Sequence, residues 1–371
     1  MLARFAAALG LLCLPGLALA QTSEEDWEVC PKIENEQAAI EACTRIIERK
    51  GEGRERTGIA YSNRCGARGR LGQDDQGLFD CNNAIRLLPN YSMAYNNRGN
   101  RYRAKGEGEK ALADYNKAIQ LDAKNAFAFN NRGLVYEDRK DYELALTDYN
   151  RAIELDPTYF TAYLNRGDVL RARGDYERAV ADYQKAVIIN PRDAGAQDSL
   201  GSAMTVLGRY DLALRHTTSA LELNPRARQP YFARGMTNLF LADYANAASD
   251  LRKAVELNVI DHAVIYGHIA RVRGGDPSTT ELEAGLRKLK PGQWPYQAAE
   301  FLLGRRPLDS VRSATRNASE NCEANFIIAQ WHLIKDERQE AVAALRTASE
   351  FCPNGDYERM GSREELRRLG N

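Results

Sequence analysis

The chain has 371 residues, 51 Lys and Arg against 51 Asp and Glu, and a sequence pI near 6.9. That balance lacks the basic footprint of a nucleic-acid binder, and 44% hydrophobic with 27% charged residues is too apolar for a disordered chain. His216, His262, His268 and His332 are scattered, and no nucleophile elbow, P-loop or zinc-protease motif occurs. No catalytic residue, metal or cofactor is expected.

Residues 1–20 read MLARFAAALGLLCLPGLALA. Arg4 gives a short basic start, Phe5 to Leu19 an apolar run, and Ala18-Leu19-Ala20 a cleavage pattern, as in a signal peptide removed after Ala20. The run is short of the ~20 residues of a membrane span, and no later stretch is apolar enough to make one. An exported, periplasmic protein is expected. Export places the six remaining cysteines, Cys30, Cys43, Cys65, Cys81, Cys322 and Cys352, in an oxidising compartment that favours disulfides.

An N-terminal capping segment, 21–57, carries one expected helix, Glu36–Lys50. A 34-residue period then runs through six units: 58–91, 92–125, 126–159, 160–193, 194–227 and 228–261. Ala94-Tyr-Asn-Asn-Arg-Gly99 returns as Ala128-Phe-Asn-Asn-Arg-Gly133 and Ala162-Tyr-Leu-Asn-Arg-Gly167. Ala111-Leu-Ala-Asp-Tyr-Asn-Lys-Ala118 returns as Ala145-Leu-Thr-Asp-Tyr-Asn-Arg-Ala152 and Ala179-Val-Ala-Asp-Tyr-Gln-Lys-Ala186. Pro157, Pro191 and Pro225 close their units at position 32, where proline ends a helix. The period falters over 262–321, an irregular helical segment with helices expected at His262–Arg273 and Thr280–Lys290. Register returns over 322–371, with Ala329, Ala341, Ala348 and Pro353 at positions 8, 20, 27 and 32 and a closing helix at Arg363–Leu369.

Small residues at positions 8, 20 and 27 with this period resemble the tetratricopeptide (TPR) family. The resemblance implies an all-α fold, a right-handed superhelix (α-solenoid) of antiparallel helix pairs. Gly133 at position 8 is expected to meet Ala145 at position 20. Position 7 is Arg64, Arg98, Arg132, Arg166 and Arg234, and position 23 in the same units is Asp80, Asp114, Asp148, Asp182 and Asp250. Where the Arg is lost, at Leu200 and Ile328, the Asp is also lost, at His216 and Ala344. The two positions change together, as partners in a bridge between helix A and helix B do; a row of anion-binding arginines is the weaker reading.

In the TPR family, helix A positions 2, 5, 9, 12 and 13 face a concave groove. Here they include Met93, Asn96, Asn100, Arg103, Phe127, Asn130, Leu134, Glu137, Thr161, Leu164, Asp168 and Arg171. Position 6 is Asn63, Asn97, Asn131 and Asn165, amides that suit either an extended peptide or a tie between neighbouring repeats. The partner-binding set is therefore Asn96, Asn97, Asn100, Arg103, Asn130, Asn131, Glu137, Asn165, Asp168 and Arg171. Partners are other proteins or peptides. Trp294-Pro295, Phe301-Leu-Leu-Gly304, Asn325-Phe326, Trp331-His-Leu333 and Glu364-Glu-Leu366 are similar to the end of NlpI-type periplasmic TPR adaptors. That likeness implies a scaffold role in cell-envelope assembly or turnover, with envelope enzymes or proteases as partners. The alternatives are a wall hydrolase-like enzyme with its site in 262–321, and a small-ligand or glycan binder with a closed aromatic cavity.

Repeat arithmetic also pairs the cysteines. In a hairpin turning near position 16, facing positions sum to about 32. Cys65 and Cys81 occupy positions 8 and 24, and Cys322 and Cys352 positions 1 and 31, which leaves Cys30 with Cys43.

Overall fold

The computed structural model describes residues 24–32, 35–259 and 261–371. The leader over 1–20 and its cleavage after Ala20 lie outside them. Every regular element among the described residues is a helix. The chain divides into two compact units at Ala162 and Tyr163, inside one helix.

Unit 1 holds α1 (24–29), α2 (Glu36–Glu48), α3 (Arg54–Arg70), α4 (Asp74–Leu87), α5 (Ser92–Ala104), α6 (Gly108–Leu121), α7 (Ala126–Asp138) and α8 (Tyr142–Leu155). Helix α9 (Phe160–Ala172) carries the division. Unit 2 continues with α10 (Tyr176–Ile189), α11 (Ala194–Val206), α12 (Tyr210–Leu223), α13 (Gln229–Phe240), α14 (Tyr244–Glu256) and α15 (Asp261–Arg273). Three short helices follow, α16 (Thr280–Leu286), α17 (Tyr296–Leu302) and α18 (Leu308–Ala314), then α19 (Ala318–Ile334), α20 (Arg338–Phe351) and α21 (Tyr357–Arg368). Each unit is an α-solenoid of the TPR kind, in which helix A packs on its own helix B and on the next helix A.

Local chemistry sets the period. Helix B ends at Leu121, Leu155, Ile189 and Leu223, two residues short of position 32. Position 15, in the A–B turn, is left-handed at Gly72, Gly106, Gly174 and Gly208, and also at Lys140, Ala242 and Asp336. The last three hold a conformation that favours glycine.

Close packing centres on position 8, but its neighbour differs from the expectation. A Cβ added to Gly133 would stand 2.7 Å from the ring of Tyr149, not against Ala145. Gly99 and Gly167 meet Tyr115 and Tyr183 in the same way. The aromatic ring at position 24 reaches back across the hairpin and takes the space, and all three rings are fully buried. In the fifth unit Thr217 replaces the ring, and there the backbone of Ala213, at position 20, stands 3.1 Å from the added Cβ on Gly201.

The Arg–Asp bridge is present in all five units. Nε and Nη2 of Arg64, Arg98, Arg132, Arg166 and Arg234 each donate to one oxygen of the paired aspartate, at 2.6–2.9 Å. All five aspartates are buried. Nη1 of Arg98, Arg132 and Arg234 reaches position 25 of the preceding helix B, at Asn82, Asn116 and Thr218. A ring at position 4 lies beside each guanidinium, from Tyr61 to Tyr231, at 5.3–5.9 Å. In the fifth unit position 4 is Gln197, whose Oε1 lies 2.7 Å from His216 Nδ1, a different bond for the changed pair.

Cys65–Cys81 and Cys322–Cys352 each join helix A to helix B within one hairpin, with Cα atoms 5.4 and 5.0 Å apart. Cys30 lies with Cys43, Cα atoms 4.9 Å apart.

Candidate peptide-binding face

The helix A face of unit 1 is built by α3, α5 and α7. Its polar residues have partners within the fold. Asn97 donates from Nδ2 to the Ser62 carbonyl at 3.0 Å and to Ser62 Oγ at 3.2 Å, tying α5 to α3. Asn131 donates to Asn96 Oδ1 at 3.0 Å, tying α7 to α5, and Asn130 donates to Asn131 at 3.3 Å. Both Asn96 and Asn130 are buried. The position 6 amides of this unit therefore hold neighbouring repeats in register.

Positions 9 and 12 serve the buried tyrosines. Tyr115 donates its hydroxyl to Asn100 at 2.7 Å, and Tyr149 donates to Glu137 at 2.7 Å. Burial pushes both phenols well above the ordinary tyrosine pKa, so they stay neutral donors. Arg103 donates to Asp138 at 3.0 Å across adjacent repeats, in an exposed pair.

What this face offers a partner is apolar with a charged edge. Phe127 is 50% exposed and packs edge-on against Tyr159 at 5.1 Å. Met93 and Leu134 are half-buried beside it in the repeat register, and Arg103, Glu137 and Asp138 border them.

In unit 2, Asp168 accepts the Tyr183 hydroxyl at 2.8 Å, and Arg171 Nε lies 3.2 Å from the same oxygen. Asn165 sits half-buried on α9. The groove positions of α11 and α13 meet α21, which folds back onto them and onto α19. Tyr357 stacks near Phe232 and Phe240, ring centroids 6.0 and 6.2 Å away. A Cβ on Gly361 would stand 2.6 Å from Phe240 and 2.8 Å from Phe326, so α21 approaches as closely as a glycine allows. Arg273 pairs with Glu365, and Arg368 donates to the Phe240 carbonyl. Beneath Tyr357, Asp198 keeps a buried Oδ1 without a hydrogen-bond partner, and burial raises its pKa to about 6.

Four of these features were not anticipated from the sequence. The rings at position 4 and the amides at position 25 recur in the sequence and were legible there. The tyrosine hydroxyl bonds follow once position 24 is known to face positions 9 and 12. The return of α21 leaves no periodic trace.

TPR repeat models match residues 99–139 and 167–208, and tetratricopeptide repeat models match 126–159, 148–181 and 229–258. The helix pairs over 99–208 and 229–258 are therefore similar to tetratricopeptide repeats. Among solved structures, PilF of Pseudomonas aeruginosa is 19% identical, over 57% of this chain and 96% of its own, with a TM-score of 0.53, which shows the fold. YrrB, described as a TPR protein with an unusual peptide-binding site, is 25% identical, over 49% of this chain and 94% of its own, with a TM-score of 0.44. A tetratricopeptide repeat protein from Parabacteroides merdae is 20% identical, over 69% of this chain and 99% of its own, with a TM-score of 0.46. No curated protein sequence matches the chain. No helix among the described residues is long and apolar enough to cross a membrane.

Proposed function

We propose that this protein is a non-catalytic, exported scaffold that holds a segment of another protein on the helix A face of unit 1. The observation that carries this reading is the contrast between two equivalent faces. In unit 2, α21 lies on α11 and α13, whereas in unit 1 Phe127 remains half exposed, with half-buried Met93 and Leu134 at positions 2 and 9 of the repeat frame. An exposed aromatic flanked by aliphatic side chains on a helical face suits an apolar anchor of a peptide.

The amides Asn96, Asn97, Asn100, Asn130 and Asn131 share that helix A face, and Arg103, paired with Asp138, and Glu137, which accepts from Tyr149, border the strip. Asn165, Asp168 and Arg171 belong to the separate helix A face of unit 2. The leader-like residues 1–20 and the even number of remaining cysteines support export. The C-terminal likeness to NlpI-type adaptors supports a place in cell-envelope turnover, with envelope enzymes or proteases as the partners.

The test is site-specific photocrosslinking from position 127 in living cells, beside the same probe at the exposed residue Phe79 on α4. A discrete adduct from position 127, lost in a Met93→Glu/Leu134→Glu variant of unchanged helicity, is expected. Adducts that survive that variant, or that arise equally from position 79, would move the interaction elsewhere.

A further inference from the structure

Counting on from His262, the 34-residue frame places His268 at position 7 and Ala284 at position 23. These positions carry the Arg–Asp bridge in five other units. Here the arginine is a histidine and the aspartate has no carboxylate. Both residues line a cavity of about 200 Å³ inside unit 2. Arg252 lines it too, and Arg252 is at position 25 of the preceding unit, the position that supplies the third bridge partner elsewhere.

The cavity has a structural cause. Helix α16 has 7 residues where a helix B of the regular repeats has 14, so it leaves part of the space unfilled. Small and aliphatic side chains, Ala263, Val264 and Val255, form its apolar wall. His268 is 5% exposed, and its Nδ1 is buried without a hydrogen-bond partner. A buried polar atom with no partner is costly, and a ligand group that bonds to it removes that cost.

Arg252, Lys288, Glu256 and Glu281 line the cavity, and Arg271 pairs with Glu281 beside it. Glu281 is shared by Arg252 at 3.1 Å and Arg271 at 3.4 Å, and Nη2 of the buried Arg271 has no partner.

We propose that this vacated bridge site binds a small aliphatic monocarboxylate, whose carboxyl group replaces the missing position 23 carboxylate and whose short chain lies on Val255, Ala263 and Val264. The volume, below the ~300–1,000 Å³ of pockets for drug-sized ligands, limits the chain to a few carbons. The Ser278 main chain lies beside the imidazole, and the unpartnered Nδ1 can share a proton with the bound carboxyl. Burial first, and Arg271 second, keep the empty site's imidazole neutral, with a pKa pulled down to about 4. The groups around it are Arg271 on its own helix, Asp276 in the following turn, Arg252 and Glu256 on α14, Glu281 on α16 and Lys288 just beyond. Binding an ionised carboxylate to a neutral imidazole takes up one proton.

The probe is sodium isovalerate, titrated into the full chain and followed by the His268 ring resonances and by calorimetry. Saturable binding with a Kd of about 1 mM, within reach of so small a ligand, is expected. Affinity should tighten about tenfold per pH unit lowered between about pH 8 and pH 6. Isovaleramide, of the same shape without the charge, should bind at least about tenfold more weakly. A His268→Arg/Ala284→Asp variant restores the residues of the regular repeat and should abolish binding with an unchanged or higher melting temperature. Should that variant fail to fold, Arg252→Ala, at a half-exposed side chain, should weaken binding about tenfold. No saturable His268 shift, equal binding of the amide, or binding that ignores pH would each overturn the proposal.

Discussion

Arg132 grips Asp148 through two hydrogen bonds of 2.8 and 2.7 Å and sends its remaining nitrogen to Asn116 in the preceding repeat. One side chain thus joins three helices: its own helix A, its helix B and the previous helix B. The aspartate is 3% exposed, and the guanidinium balances its buried charge.

Arg132→Leu should therefore destabilise unit 1 by about 3 kcal/mol, the low end for a broken buried pair because the guanidinium is one-fifth exposed. Arg132→Leu/Asp148→Leu should be more stable than Arg132→Leu alone, since no buried carboxylate is then left unpaired. Denaturant unfolding of the wild type, both single variants and the double variant checks this. Strict additivity would mean that the two residues do not act as a pair.

The packing of position 8 makes a second prediction. In Gly133→Ala the new methyl meets the buried Tyr149 ring, whose hydroxyl is fixed on Glu137, and about 1–3 kcal/mol of stability should be lost despite alanine's better helix propensity. Gly66→Ala, in the middle of α3 with its nearest neighbours at 3.6–4.0 Å, should instead be neutral or stabilising by up to ~1 kcal/mol. Equal losses at the two sites, measured by thermal unfolding, would contradict the close contact.

The docking of α21 should weaken as pH rises. Trp294 Nε1 donates to Glu323 at 2.5 Å, His262 Nε2 lies 3.1 Å from the same carboxylate, and Tyr266 donates to Glu358 on α21 at 2.5 Å. Burial opposes a charge on His262, but the Glu323 hydrogen bond prevails and raises its pKa to about 9. Its contribution is complete below the ordinary histidine pKa and disappears as pH climbs to about 9. Burial first, and Glu323 second, raise the pKa of Glu358 above the usual carboxylate range. The folded state keeps that proton after an unfolded chain has lost it, so this group also favours lower pH. The melting temperature should fall from about pH 6 to pH 9, and Glu358→Gln should flatten the acidic part of that slope. A melting temperature that rises over the same range would be incompatible with this cluster.

The hairpin disulfides give a fourth expectation. Non-reducing peptide mapping should find Cys65 with Cys81, Cys322 with Cys352, and Cys30 with Cys43. Replacing Cys322 and Cys352 by serine should cost about 2–4 kcal/mol, since the bond closes a loop with a sequence separation of 30. The bond ties α19 to the end of α20, so the loss should appear as faster hydrogen exchange in α20. A free Cys352, or one linked to an N-terminal cysteine, would overturn the C-terminal pairing.

The sequence alone determined the repeat, the helix pairs and the Arg–Asp bridges. All three are contacts within about 34 residues, and each recurs often enough for one copy to check another: Arg132 predicts Asp148 because Leu200 comes with His216. Three things were decided only by the tertiary structure. Gly133 faces Tyr149, rather than Ala145, because ring size and rotamer settle which side chain fills a gap between two helices. The amides of Asn97 and Asn131 are tied to neighbouring helices, since their direction depends on how consecutive repeats stack. The position of α21 rests on Gly361 against Phe240 and Phe326, a match between surfaces distant in the chain that no local period encodes. Its docking leaves the two units with different helix A faces, although their repeats are written in the same alphabet.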